Sequence, residues 1–175
     1  TIHDVVIATD YMQGVTDPTF NFVKADVDGN NRVELSDVED IASQVIVAEA
    51  VPSYYYYNTP VAQAILSLDD FEIVTDVSTT VELPLAMQSV GSDRYKAVQA
   101  DIVLPLGMTL VDVAAGEIVE GHNFQTVQLD ENYYRIMAYS DESDEFSLGE
   151  QLATLTLYCD EILPDEECKV ELQNI

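Results

Sequence analysis

The residues best placed to do chemistry lie between Asp26 and Asp37. The run Asp26-Val-Asp28-Gly-Asn30-Asn-Arg32-Val-Glu34-Leu-Ser36-Asp37 puts oxygen-bearing side chains at loop positions one, three, five and twelve. That spacing suits calcium. A hard cation needs several oxygens converging at about 2.3 to 2.6 Å, and a turning loop brings alternate side chains inward. The expected ligands are Asp26, Asp28, Asn30, the backbone carbonyl of Arg32 and Asp37, with the Arg32 side chain directed away. Position six normally demands glycine because φ is positive there. Here it is Asn31, which tolerates the left-handed region best after glycine. Asp37 is shorter than the glutamate usual at position twelve. It stands where a helix should begin, so one carboxylate can hold metal and favour the helix N-terminus. A solvated acidic turn is the plainer alternative.

Little else in the chain looks reactive. The two histidines, His3 and His122, fall in no nucleophile-elbow or zinc-ligand pattern, and no glycine-rich phosphate loop is present. Carboxylates are abundant, but abundance specifies no acid–base dyad. The expectation is a protein without enzymatic activity. With 33 Asp and Glu against 6 Lys and Arg, a net charge of -27 would repel phosphate backbones and anionic lipid head groups, which excludes nucleic acid as a partner. The acidic runs Asp141 to Glu145 and Asp160 to Glu167 are read as solvated loops or as extra cation sites. No run of 18 apolar residues exists, so no membrane insertion is expected. The acidity is read as the solubilising surface of a secreted, cell-surface or periplasmic protein. A start at Thr1 with no leader pattern suggests a processed or trimmed product.

The elements that must position the loop come in two kinds. Apolar residues at Ile2, Val5, Ala8 and Met12 have helical spacing, and Leu35, Val38, Ile41 and Val45 repeat it. The displacement, 33 positions, also carries Asp4 onto Asp37, so residues 1 to 50 read as a duplicated loop-helix unit whose first copy lacks its front half. Asp4 is then the one side-chain ligand left of a partial first site. Gly14 should end the first helix, Asp17-Pro18 should turn, and Phe20 and Phe22 should pack the helices together. Residues 51 to 62 form a Tyr-rich linker in which Pro52 and Pro60 favour extended backbone. Its Tyr54, Tyr55, Tyr56 and Tyr57 either make a stacking platform for sugars or protein, or pin the two domains together.

Residues 63 to 175 read as nine short strands: 64–68, 71–75, 80–86, 95–104, 109–114, 123–129, 133–139, 151–158 and 169–172. Alternation, with turns at Gly107, Gly116, Gly121 and Gly149 and no intervening helix, predicts an antiparallel sandwich. Cys159 and Cys168 flank a stretch between two strand runs, which leaves open a cross-hairpin disulfide or two ordinary thiols.

On these motifs, residues 1 to 48 resemble a type I dockerin, an EF-hand-type module that pairs each twelve-residue calcium loop with one helix. Asp26, Asp28, Asn30, the Arg32 carbonyl and Asp37 fall on that family's ligand positions. The family's partner-contact positions, ten and eleven, map to Ile2 and His3 in one copy and Leu35 and Ser36 in the other. Ile2 and Leu35 serve equally well as core. The stretch Tyr95-Lys-Ala-Val-Gln-Ala-Asp-Ile-Val-Leu-Pro-Leu-Gly-Met-Thr-Leu-Val111, with Tyr133 to Ser140 and Val170 to Ile175, resembles cohesin-like domains. That resemblance implies a nine-stranded, jelly-roll-like sandwich, in a group of folds that also hosts carbohydrate-binding modules. The pairing occurs in secreted Bacteroides-type polypeptides. Together the resemblances imply Ca2+ as cofactor and a protein partner of cohesin or dockerin type, in cis or in trans. A polysaccharide ligand, or a structural stalk with the two domains packed together, are the alternatives. The ten tyrosines favour the sugar reading and the absence of tryptophan counts against it.

Overall fold

A computed structural model of the chain describes residues 1–48, 64–71, 78–89, 94–160 and 169–175. Helices come first: α1 (Ile2–Met12), α2 (Phe22–Ala25) and α3 (Leu35–Val47). Among the described residues eight strands follow: β1 (Ala64–Leu68), β2 (Thr79–Ser89), β3 (Ala97–Val103), β4 (Met108–Ala115), β5 (Asn123–Asp130), β6 (Tyr133–Tyr139), β7 (Gln151–Cys159) and β8 (Glu171–Gln173). The ninth expected strand, 71–75, is absent at Phe71, and its remainder lies outside the described residues.

Strands in order β1-β2-β7-β4 make one sheet and β5-β6-β3-β8 the other, with every pair antiparallel. The main core lies between them, because side chains on a strand alternate faces. Leu83, Leu85 and Met87 of β2 and Leu155 and Leu157 of β7 meet Val98, Ala100 and Ile102 of β3 and Tyr134, Ile136 and Ala138 of β6. Full burial of each large apolar side chain stabilises by roughly 1.5–3 kcal/mol. Cys159 is fully buried in this core, whereas Cys168 lies outside the described residues, as do Tyr54 to Tyr57 and the linker.

The 33-residue repeat is visible in the helices, which begin at equivalent positions, Ile2 and Leu35. Val5 and its equivalent Val38 are both fully buried, as are Thr9 and its equivalent Ala42. Gly14, at φ 82°, ends α1 with paired bonds: its amide reaches the Tyr11 carbonyl, and the Val15 amide reaches Asp10 at 2.9 Å. Glycine suits that left-handed cap. Phe20 stacks on Tyr11 with centroids 4.1 Å apart, and Phe22 meets the same ring edge-on. Both phenylalanines thus fasten the connector to α1. The turn α2 is an addition to the sequence expectation, started by Asn21, whose side chain accepts from the Lys24 amide.

The helices do not close their own core. Val5, Ala8, Val38, Ala42, Val45 and Ile46 share one cluster with Met137 and Tyr139 of β6, and Ala97 and Val127 border it. The helix pair therefore lies on the outer face of the β5-β6-β3-β8 sheet. This explains why β6 is buried nearly throughout: alternate residues serve two different cores.

Candidate metal centre and the sheet face beneath it

Between α2 and α3 the chain turns twice through positive φ, at Gly29 (73°) and Asn31 (65°). The second of these is loop position six, where the sequence predicts a left-handed residue. The Asn31 amide donates to Asp26 Oδ2 at 2.9 Å, the Asn30 amide to Asp28 Oδ1 at 2.9 Å, and the Arg32 amide to Asn30 Oδ1 at 2.8 Å. Each short polar side chain so folds the backbone two to five residues ahead of it. The Asn30 side-chain amide donates to Asp28 Oδ2 at 2.9 Å, and the Arg32 guanidinium faces outward beside Glu34 at 3.6 Å.

Asp37 closes the loop from the first turn of α3. It is buried, accepting the Val27 amide at 2.8 Å and the Asp28 amide at 3.3 Å on one oxygen and the Glu34 amide at 2.9 Å on the other. The Glu34 bond above all, against an opposing cost of burial and with help from the Val27 and Asp28 amides, holds its carboxyl below the ordinary range.

These contacts bring one carboxylate oxygen each of Asp26, Asp28 and Asp37 within 4.8 Å of one another. Three carboxylates so close repel strongly unless a cation lies among them. A central ion at about 2.3–2.6 Å from each oxygen spans that separation. Asp26 Oδ1 is moreover buried with no hydrogen-bond partner among the described residues. An orphaned buried carboxylate oxygen is costly. The donor set, all oxygen, fits a hard divalent cation.

The other sequence-derived residues are placed as follows. Asp4 is exposed at the start of α1 and accepts the Thr1 hydroxyl at 2.8 Å. Ile2 packs against the shared helix-sheet cluster, and His3 is half-buried beside it in sequence. Leu35 and Ser36 are exposed at the head of α3. His122 sits apart from His3, its ring edge-on to Phe146. Asp141, Asp144 and Glu145 border the sandwich, and Ser140 ties that turn by accepting the Glu142 and Asp144 amides.

The sequence reading missed the polar groups on the sheet face. Arg135 of β6 and Asp101 of β3 are register partners, and both are almost wholly buried. Arg135 Nε lies 2.6 Å from Asp101 Oδ1 and Nη2 lies 3.0 Å from Oδ2, a bidentate pair. Its remaining nitrogen, Nη1, donates to the carbonyls of Val45, Ile46 and Ala48 at the C-terminus of α3. Tyr133 and Asn174 donate to Asp101 as well. Burial alone would raise the Asp101 carboxyl, but the bonds from Arg135, Tyr133 and Asn174 outweigh it and hold the group below its usual value. A second tie joins α1 to the sheet: Lys96 Nζ is 2.7 Å from Asp10, which also accepts the Ser143 hydroxyl. One sequence signal was present: the outward-facing positions of β6 are Arg135, Met137 and Tyr139, too apolar for a face open to water.

No protein-family model and no curated protein matches this chain. Solved structures do. The chain is similar to the seventh ScaB type I cohesin from Pseudobacteroides cellulosolvens, with a TM-score of 0.55 and 13% identity over 63% of this chain and 73% of that one. It is similar to the Coh-OlpA-Doc918 structure, a type I cohesin-dockerin complex from Clostridium thermocellum, with a TM-score of 0.53 and 10% identity over 63% and 81%. A type III cohesin module of the cell-surface anchoring scaffoldin ScaE from Ruminococcus flavefaciens scores 0.50 at 14% identity over 72% and 73%. At these identities the likeness establishes the fold: a cohesin-like β-sandwich.

Proposed function

We propose that this chain is a non-catalytic, calcium-dependent protein-association module of cohesin-dockerin type, working outside the cell. The observation that carries this reading is the combination of an all-oxygen loop holding an orphaned buried carboxylate oxygen with a helix pair seated on a sheet face of a cohesin-like sandwich. The C. thermocellum neighbour is a cohesin-dockerin complex by its own description, which supports a protein partner of dockerin type here. Asp26, Asp28 and Asp37, with Asn30 and the Arg32 carbonyl, would hold the ion. The metal would supply no catalysis, only the positive charge that lets three carboxylates share a turn and so orders the entry to α3. Among the described residues no helix is long and apolar enough to cross a membrane.

Calorimetric titration of calcium into chelated protein tests the reading. The expected result is a saturable site near one per chain that disappears in Asp26→Ala and raises the melting temperature. Heat without saturation, or an unchanged Asp26→Ala variant, would refute it.

A further inference from the structure

Helix α3 is anchored at both ends by groups outside itself. At its N-terminus Asp37 binds the amides of Val27 and Asp28 across the loop. At its C-terminus Arg135 reaches the carbonyls of Val45 and Ile46 at 3.4 and 3.3 Å, and that of Ala48. Both anchors complement the helix dipole, an anion at the positive end and a cation at the negative end. Both are buried, and the helix between them is a rigid strut of roughly 1.5 Å per residue. Arg135 cannot make these bonds if α3 is frayed or displaced, because each requires an ordered last turn. Asp37 cannot present its oxygen to the loop unless the first turn of α3 is formed.

We propose that Arg135, aligned by Asp101, is the residue by which the outer face of the β5-β6-β3-β8 sheet recognises a helix C-terminus, and that calcium in the loop and docking of the helix pair on this face are one linked equilibrium. The occupant is the chain's own α1-α3 pair. Met137 and Tyr139 supply the apolar floor beneath Val38, Ala42 and Val45, and Lys96 fixes α1 through Asp10. Arg135 acts as a positioning residue: it touches the helix and not the metal. Loss of calcium loosens the first turn of α3, weakens the hold at its last turn, and uncovers the sheet face. Linkage makes the coupling reciprocal: docking strengthens calcium binding by the same factor by which calcium strengthens docking, so variants that undock the helices lower calcium affinity. This proposal rests on the calcium reading of the loop.

The experiment uses the full chain carrying Met137→Cys, with the unsubstituted chain giving the background from Cys159 and Cys168. Maleimide labelling at position 137 is followed with calcium and with chelator. The expected result is labelling about tenfold faster or more in chelator, the change a coupling of 1.4 kcal/mol per tenfold implies. In parallel, calcium affinity is measured for Lys96→Ala, a partly exposed site outside the sandwich core, and for Arg135→Gln and Arg135→Lys. Several-fold weaker calcium binding in Lys96→Ala and Arg135→Gln, with Arg135→Lys intermediate because it keeps charge but loses the fork, supports the linkage. Where Arg135→Gln fails to fold, Lys96→Ala and the paired Arg135→Met, Asp101→Asn variant carry the test. Site-specific calcium binding with equal labelling in both conditions and unchanged affinity in these variants would overturn the linkage while leaving the calcium reading intact. Absence of saturable calcium binding would overturn both.

Discussion

Arg135 carries its charge where water does not reach, and its neighbours are arranged around that fact. Six groups share the burden: Asp101 neutralises it, the carbonyls of Val45, Ile46 and Ala48 accept from its Nη1, and Tyr133 and Asn174 donate to Asp101 Oδ2. Removing one partner of such a pair strands the other. Arg135→Met is therefore expected to destabilise the fold by about 3–5 kcal/mol, and adding Asp101→Asn should restore a large part of that loss. Denaturant unfolding of the two variants checks the order. Acid reports on the same group. The Asp101 and Asp37 carboxyls both titrate below their ordinary value in the fold. A lowered folded value means stability that is fully present above the unfolded value near ~3.9 and lost as pH falls through the folded one. Unfolding free energy should thus hold steady from about pH 6 to about pH 4 on their account and decline below it. In Asp37→Asn the decline should be shallower, and a titration by denaturant at each pH reads this directly.

At the scale of the elements, two glycines that look alike in sequence do different work. Gly14 has φ 82° with open space where a Cβ would stand, so Gly14→Ala should cost only the left-handed penalty, roughly 1–2 kcal/mol, and fray the end of α1. Gly116 has an ordinary φ, but a Cβ there would meet the Gln151 carbonyl oxygen at 2.1 Å and Leu152 carbonyl carbon at 2.7 Å. Backbone of β7 cannot swing aside as a side chain would. Gly116→Ala should therefore disturb the β4-β7 seam and cost at least the 1–3 kcal/mol typical of overpacking, seen as a lower denaturation midpoint. What the sequence disclosed follows the same division between local and remote causes. The turn between α2 and α3 was legible because Asp26, Asp28, Asn31 and Asp37 act within twelve positions, and their spacing is itself the geometry of the loop. Strands β7 and β8 were legible from alternation, and the others as short runs between turn signals. The seat of α3 on β6 was not, because Arg135 and Val45 are 90 positions apart and no period in either segment refers to the other. The short α2 escaped notice because four residues cannot display a helical period.

For the whole molecule, the net charge of -27 makes every stability measurement partly a measurement of screening. Unsatisfied repulsion among exposed carboxylates opposes the compact state, and any salt relieves it as the Debye length falls from about 30 Å at 0.01 M to about 10 Å at 0.1 M. A calcium effect on melting is meaningful only when separated from this general one. The two differ in dose and in what they stabilise. Screening should raise the melting temperature of the wild-type chain and of Asp26→Ala alike when sodium chloride is increased in the presence of chelator. A loop-bound ion should act only on the wild-type chain, and at 100 times its dissociation constant should add about 2.7 kcal/mol. Because the helix pair shares its core with Met137 and Tyr139, that increment should appear in the unfolding of the assembled chain as a single transition. In chelator, the helices should release first and the sandwich later, giving two transitions. Differential scanning calorimetry of both chains, with calcium, with chelator and with chelator plus salt, distinguishes the cases: one merged transition that appears only in wild type with calcium couples the loop-bound ion to the joining of the two halves of the molecule, whereas equal shifts in both chains would reduce it to one more counterion.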